Sequence, residues 1–128
     1  MEAGNIRNMV DDIKHCRKWI EDALEHCDGT HKFDDVAESI SKGSMQLWSS
    51  PKGCIVTEIV VYPRKTVLHV FLGGGELEQI LDMDKDVKEW ATKQGCTAST
   101  MSGRSGWKKP LAGLGWKPTQ TSYIKEFY

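Results

Sequence analysis

The 128-residue sequence has no apolar run near 18 residues, which excludes a transmembrane helix within it. The opening residues, MEAGNIRN, contain no hydrophobic stretch of a secretion signal, so we expect a protein that is not secreted by a signal peptide. No segment has a disordered composition, and no internal repeat is visible. These absences predict one globular domain over residues 1–128, enough for a single hydrophobic core.

Paired cysteine motifs are also missing. The four cysteines are scattered singly, at Cys16, Cys27, Cys54 and Cys96. Without a secretion signal, we expect reduced and mostly buried thiols. His15 and His26 each precede a cysteine, but a spacing of 11 residues on one helix separates the two pairs by about 16 Å. One ion cannot bridge that distance, so the sequence predicts no metal site.

Charge is nearly balanced but unevenly distributed. The formal net charge is −1, yet the first 50 residues carry 6 basic and 10 acidic residues. Residues 103–128 carry 5 basic residues and 1 acidic residue. Within that end, Arg104, Lys108 and Lys109 surround Trp107. This basic cluster is either a solvated face or a surface for an anionic cofactor, a nucleic acid or an acidic partner.

Apolar spacing predicts three helices, over residues 8–27, 33–42 and 76–94. Thr30 is the predicted N-cap of the second helix. In the third helix the apolar stripe is interrupted once, at Asp84.

Short runs rich in β-branched residues or alternating in polarity predict strands at residues 45–49, 54–62, 66–72, 96–102 and 117–128. The second run, CIVTEIVVY, is almost continuously apolar, which is typical of a central strand covered on both faces. The helix at 76–94 joins two strands through a connection of about 20 residues and predicts a right-handed parallel crossover. The resulting fold class is α+β, an α/β three-layer domain with a mixed, mostly antiparallel sheet and a late βαβ crossover.

Three glycines, Gly73, Gly74 and Gly75, stand between the predicted strand and the long helix. A helix start offers free amide groups and a positive dipole, and glycines let a phosphate approach the backbone. Glu76 and Glu78 occupy the same first turn and would repel a phosphate. The run is therefore either a phosphate cradle or a structural turn.

The order of elements resembles the GNAT acyltransferase fold over about residues 10–127. The segment VKEWATKQGCTAST is similar to the family's pattern of an alanine near the end of the long helix, a glycine and then a strand. The segment GWKKPLAGLGW is similar to the one that ends in Gly-Phe, with Gly115 and Trp116 in that place. Together with the run GRSGW, it also looks like small GNAT-like proteins of tailed bacteriophages, including internal virion proteins.

The resemblance implies that acetyl-CoA lies between the strands before and after the long helix. It implies that the pyrophosphate rests on the glycine run, as the helix dipole would favour. The cofactor-binding residues so implied are Val70, Phe71, Leu72, Gly73, Gly74, Gly75 and Arg104. The run is too short for the family's Arg/Gln-x-x-Gly-x-Gly/Ala loop and lacks the Arg or Gln. The family's tyrosine acid is also absent, and Trp107 cannot replace it.

Two residues are candidate catalytic groups. Glu58 lies on the predicted central strand, and a carboxylate among valines and isoleucines suits a general base near neutral pH. The alternative is a residue that faces solvent or pairs with a lysine. His69 lies on the strand that would line the cofactor groove, where it is either a base or proton shuttle or simply a packed or exposed histidine.

Three hypotheses about function follow. The first is a phage-type GNAT-like protein without efficient chemistry, with a structural or assembly role in the virion and protein partners there. The second is an acetyl-CoA-dependent N-acetyltransferase. The third, weaker hypothesis is an adaptor that binds nucleic acid through Arg104, Lys108 and Lys109. The expected location is the host cytoplasm or the virion.

Overall fold

The computed structural model describes residues 9–102 and 111–128, with only the backbone of residues 9–11. The described elements follow the order that the sequence predicts for its first seven elements. They are α1 (Met9–Leu24), α2 (Phe33–Lys42), β1 (Gln46–Ser50), β2 (Gly53–Val61), β3 (Thr66–Gly75), α3 (Leu77–Lys93) and β4 (Ala98–Met101).

The four strands form one sheet in the order β1-β2-β3-β4. The first three strands are antiparallel neighbours, as expected for hairpin connections. The fourth runs parallel to β3 after the crossover through α3. The structure therefore confirms a mixed sheet with a late βαβ unit, and it places β2 between two other strands, as its apolar composition predicts.

Helices cover both faces of the sheet. Neighbouring residues of a strand point to opposite faces, and Leu47 and Trp48 of β1 join different clusters. The cluster on the α1 and α2 face consists of the buried residues Cys16, Ile20, Leu24, Val36, Ile40, Met45, Cys54, Val56 and Leu72. The cluster on the α3 face consists of Leu68, Val87, Ala91 and Cys96. The three-layer fold class is thus confirmed.

The end of α1 and the N-cap of α2 differ from the sequence-based prediction. The helix α1 ends at Leu24, and the chain continues through turns rather than helix to residue 27. The N-cap of α2 is Lys32 and not Thr30. The Asp35 carboxylate accepts a hydrogen bond from the Lys32 amide at 2.9 Å, whereas the Thr30 hydroxyl bonds to the neighbouring His31 ring at 2.7 Å. The Asp35 side chain therefore satisfies the amide of the N-cap residue, which is the reciprocal bond of a capping box and not the bond predicted for Thr30.

The predicted closing strand at 117–128 is wrong for the described structure, because this segment has no strand hydrogen bonding. Its large side chains remain in solvent, with Tyr123 92% and Phe127 84% exposed. Weak alternation cannot form a strand unless a neighbouring edge supplies the backbone partners.

The glycine run is also placed differently from the prediction. Gly73, Gly74 and Gly75 are the last residues of β3 and pair with Ile55, Cys54 and Gly53 of β2, respectively. The helix α3 begins two residues later, at Leu77. A single residue, Glu76, therefore connects the strand to the helix.

Candidate functional site

The middle of β3 contains a β-bulge. Val56 of β2 pairs with Leu72, but the next residue, Thr57, pairs with Val70, so Phe71 is an extra residue on β3. The Phe71 ring packs against the ring of His31 at a centroid distance of 4.7 Å. A bulge bends its strand and interrupts pairing, which re-aims the residues that follow.

Pairing between β3 and β4 stops at the same place. The register runs from Val67 with Ala98 to Val70 with Met101 and goes no further. From Phe71 to Gly75, the edge of β3 that faces β4 has no strand partner among the described residues. Backbone donors and acceptors on such an edge are available to a ligand that lies along the strand.

A cavity of about 650 Å³ opens along this free edge. Its floor includes all six predicted residues from Val70 to Gly75. Trp19 and Ala23 of α1 form one wall, and Ile80 and Leu81 of α3 form another. Further lining comes from the end of β4 and from the segment after residue 110, including Met101, Ser102, Leu111, Leu114 and Trp116. The cavity therefore lies between α1, α3 and the diverging ends of β3 and β4.

The two candidate bases are neighbours on paired strands, with Glu58 on β2 and His69 on the other half of β3. Glu58 is the direct cross-strand partner of His69, and His69 is the direct partner of Thr100 on β4. The Nδ1 atom of His69 is hydrogen-bonded to the Thr100 hydroxyl oxygen at 2.9 Å. Opposite residues on paired strands have Cβ atoms about 5 Å apart, so the three side chains form one row across the sheet.

This row lies beside the cavity rather than within it. Glu58 and His69 are half-buried, and neither belongs to the cavity lining, whereas Val70 does. Along β2, Glu58 shares a face with Val56, which packs against α1 and α2. Sequence reasoning missed Thr100. Only the parallel register between β4 and β3 places Thr100 opposite His69, and the sequence does not show that register.

Two of the glycines are explained by close backbone packing. A Cβ atom on Gly74 would lie 2.8 Å from the Cβ atom of Trp19, so α1 rests directly on this residue. Gly75 has a φ of 101°, and a Cβ atom there would lie 2.3 Å from the Lys52 carbonyl oxygen. A side chain is strongly disfavoured at both positions for structural reasons, independently of any phosphate.

The start of α3 is held by the turn between β1 and β2. The Glu76 amide donates to the Lys52 carbonyl at 2.8 Å, and the Lys52 amide donates to the Gln79 side-chain oxygen at 3.1 Å. The Lys52 ammonium lies 4.0 Å from the Glu76 carboxylate, with both side chains more than 60% exposed. Such an exposed pair adds little stability, but the two backbone-anchored bonds fix the turn against the helix.

The described cavity lining carries acidic charge. Asp22 and Asp28 come from α1 and the turns after it, and Asp84 comes from α3. No Lys or Arg occurs among the described lining residues, although His26 does. Asp84 is the residue that interrupts the predicted apolar stripe of α3, so the sequence did contain a signal for this position. The predicted basic cluster, Arg104, Trp107, Lys108 and Lys109, lies outside the described residues.

The four cysteines are free, and three of them are buried. Cys27 lines the cavity, and burial followed by the neighbouring Asp28 carboxylate raises the pKa of its thiol. A hydrogen bond with Cys16, followed by burial, raises the pKa of the Cys54 thiol well above its ordinary value. Core thiols of this kind remain protonated near neutral pH, as structural cysteines do.

Within residues 9–102 and 111–128, no three His, Cys, Asp or Glu side chains are placed to hold a metal ion. None of the helices in the same part of the chain has the length and hydropathy of a membrane span.

The sequence matches no protein-family model. It also matches no curated protein. The structure, in contrast, resembles solved acetyltransferases. A possible acetyltransferase from Clostridium difficile 630 has a TM-score of 0.63 at 11% identity, covering 92% of this chain and 93% of that chain.

Two further solved acetyltransferases resemble this chain to a similar extent. A GNAT family acetyltransferase from Staphylococcus aureus has a TM-score of 0.58 at 10% identity, covering 91% of this chain and 93% of that chain. An aminoglycoside acetyltransferase from an uncultured soil metagenomic sample, solved with sisomicin, has a TM-score of 0.57 at 10% identity, covering 96% and 90%. At these identities the likeness establishes the fold alone, so the chain has a GNAT-like fold. None of the three is a phage or virion protein, and the virion role stays a prediction.

An acyl-CoA donor fits one part of this site and not another. The free edge of β3 and the apolar residues of the cavity lining, among them Phe71, Leu72 and Ile80, suit a pantetheine arm, which is a narrow chain with two amide groups. The start of α3 does not suit a diphosphate, because Glu76 is its N-cap residue, Glu78 stands in its first turn and the connection from Gly75 is one residue long. The glycine run is paired strand rather than the turn placed between strand and helix by the sequence, and its binding of a phosphate stays a prediction.

Proposed function

We propose that the protein is an N-acyltransferase that takes its acyl group from a pantetheine-type thioester. One observation carries the proposal. From Phe71 to Gly75 the edge of β3 beside the cavity has no strand partner within residues 9–102 and 111–128, and the Glu58–His69 pair lies immediately before that edge. The likeness to acetyltransferase folds supports the same reaction class, although fold alone does not fix function.

Each group of residues has a role in this proposal. The bound thioester supplies an activated acyl carbon. The β3 edge orients the donor, because backbone amide and carbonyl groups pair with the amides of an extended arm. Glu58 or His69 accepts the proton of the attacking amine, and Thr100 holds the His69 ring through the Nδ1 atom. The cavity wall formed by Trp19 and Phe71 limits the access of water to the reacting centre.

The test is acyl transfer from acetyl-CoA to a panel of small primary amines, followed by release of the free thiol. We expect turnover with at least one amine class. Glu58→Gln and His69→Gln should each be made alone, and at least one should lower kcat by about 10²- to 10⁴-fold, the usual contribution of a general base. Donor affinity measured by calorimetry should change less than about threefold, because neither residue lines the cavity.

Glu89→Gln is the matched control, since it removes one carboxylate from an exposed position of α3 outside the cavity lining. It should leave both kcat and donor affinity unchanged. Full activity in both Glu58→Gln and His69→Gln would remove these residues from the chemistry, and absence of turnover with every amine would contradict the proposed function.

A second candidate is the virion hypothesis, a GNAT-like protein without efficient chemistry in a structural or assembly role. The observation that favours lost chemistry is the acidic, one-residue connection into α3. This candidate requires that no thioester binds. It predicts that neither calorimetry nor protection of the Cys27 thiol from alkylation detects acetyl-CoA at millimolar concentration. The nucleic-acid hypothesis rests on Arg104, Lys108 and Lys109, and salt-dependent binding lost on their charge reversal would support it.

A further inference from the structure

The place where a diphosphate would contact this fold is closed by the chain itself. The Lys52 carbonyl accepts the amide of Glu76 at 2.8 Å, and the Gln79 side chain accepts the amide of Lys52 at 3.1 Å. These two bonds attach the β1–β2 turn to the first turn of α3. An anion at this helix start would have to displace a turn that is already satisfied by hydrogen bonds.

The backbone leaves no room for a phosphate-binding loop. The strand β3 ends at Gly75 and α3 begins at Leu77, so only Glu76 lies between them. Gly75 approaches the turn so closely that an added Cβ atom would lie 2.5 Å from the Gly53 Cα atom. Gly73, Gly74 and Gly75 are held extended in strand pairing with β2, so they do not form the loop that would turn successive amide groups toward a phosphate.

The charge around this point is also unfavourable to phosphate. Glu76, the N-cap residue, and Glu78, in the first turn of α3, are both exposed, and the Lys52 ammonium lies 4.0 Å from the Glu76 carboxylate. The described cavity lining adds Asp22, Asp28 and Asp84. Like charges separated by less than a Debye length repel, so a nucleotide with three phosphate groups gains little here.

The part of β3 that precedes the glycines is favourable to a neutral ligand. Phe71 and Leu72 border an apolar cavity, and the free strand edge offers backbone hydrogen bonds to a neutral chain. The part of the site that suits an acyl donor is therefore the part that would meet its pantetheine arm.

We propose that this site recognises its acyl donor through the pantetheine arm alone, and that the nucleotide half of CoA adds nothing favourable to binding. The donor class is then a pantetheine thioester with or without a nucleotide. This inference rests on the proposed function, because it names the donor of the same transfer reaction.

The experiment compares acetyl-CoA with S-acetylpantetheine as donors for the full-length chain, using the dissociation constant from calorimetry and kcat/KM for the best amine. We expect the two donors to agree within about threefold in both quantities. Raising the salt concentration should leave S-acetylpantetheine unchanged and should improve acetyl-CoA slightly, because salt screens the acidic first turn.

A charge variant sharpens the comparison. Glu78→Gln should tighten acetyl-CoA binding by about twofold to fivefold and leave S-acetylpantetheine unchanged, since one repelling charge is removed near the diphosphate. Glu89→Gln, which makes the same change on an exposed position of α3 outside the cavity lining, should affect neither donor. Equal effects of the two variants on acetyl-CoA would contradict the role given to the first turn.

The outcomes separate this inference from the proposed function. Acetyl-CoA bound 30-fold or more tightly than S-acetylpantetheine, with a preference that Arg104→Ala abolishes and salt weakens, would overturn the inference while leaving acyl transfer intact. That result would support the sequence-based expectation that Arg104 binds a CoA phosphate. Failure of both donors to bind or react would overturn the inference and the proposed function together.

Discussion

The two halves of β3 differ in what surrounds them. From Val67 to Val70 the strand is paired on both edges, with β2 and with β4, and its His69 has a partner on each side. From Phe71 to Gly75 it is paired only with β2 among the described residues, and its other edge faces the cavity. A bulge at Phe71 separates the halves. One strand thus supplies fixed side chains in one half and a free backbone edge in the other.

This difference explains why the two halves have different compositions. A strand that holds reactive side chains needs neighbours that fix their rotamers, and the first half has β-branched and polar residues with cross-strand partners. A strand whose backbone is to be approached closely needs small residues, and the second half ends in three glycines. Packing accounts for Gly74 and Gly75 in the structure, whereas the approach of a donor to the glycines belongs to the proposed function.

The largest loss of stability is expected at the end of β3, at Gly75. Gly75→Ala places a side chain at a φ of 101° and 2.3 Å from the Lys52 carbonyl. Left-handed strain and the steric clash together should lower the free energy of unfolding by about 3 kcal/mol or more, measured by urea denaturation. Gly73→Ala is the matched control, because its Cβ atom would meet only the Cys54 carbonyl at 3.5 Å. Equal losses in the two variants would contradict the packing explanation.

A smaller loss is expected at Gly74. The alanine Cβ atom would lie 2.8 Å from the Trp19 Cβ atom and 3.3 Å from its carbonyl oxygen, so α1 must shift. We expect the free energy of unfolding to fall by about 1–3 kcal/mol. Since the contacts involve the Cβ atom and backbone of residue 19, Trp19→Ala should not rescue Gly74→Ala in a double-mutant cycle. Rescue would show that the indole ring, and not the helix backbone, rests on the strand.

The smallest change in stability is expected beside the first half of β3, at Thr100. A substitution there should lower the rate of acyl transfer more than the free energy of unfolding. Thr100→Val removes the hydroxyl that bonds to His69, and the free energy of unfolding should fall by only about 1 kcal/mol or less because the bond is exposed. Acyl transfer should fall by about tenfold if ring orientation matters, and the ¹⁵N NMR signals of His69 should report a changed tautomer ratio. Thr100→Ser keeps the hydroxyl and should preserve both. Identical behaviour of the two variants would remove Thr100 from the site.

Much of the fold could be predicted because it depends on local patterns. The bounds of α2 agree with the 3.6-residue spacing of Phe33, Val36 and Ile40, and Gly43 ends the helix in the left-handed conformation. The crossover through α3 followed from the length of the connection between two strands. Local spacing did not give the N-cap of α2, because that depends on which side chain reaches the free amide groups.

The glycine run shows the limit of local pattern. A strand followed by Gly-Gly-Gly and a helix is typical of a turn, and the sequence favoured a loop there. The run became strand because Gly53, Cys54 and Ile55 of β2 provide backbone partners, and because Trp19 and Lys52 occupy the space that side chains would fill. These neighbours are distant in the chain, so no window of sequence around residue 74 contains the information.

The candidate site shows the same division. The sequence by itself determined that Glu58 and His69 lie on strands and that Val70 to Gly75 lead toward the long helix, because strand propensity and spacing are local properties. Only the tertiary structure decided that Glu58 and His69 are direct partners, that Thr100 joins them, and that β4 ends where the free edge begins. Register and bulges are set by pairing between remote segments and by what packs on each face, and those contacts exist only in the folded chain.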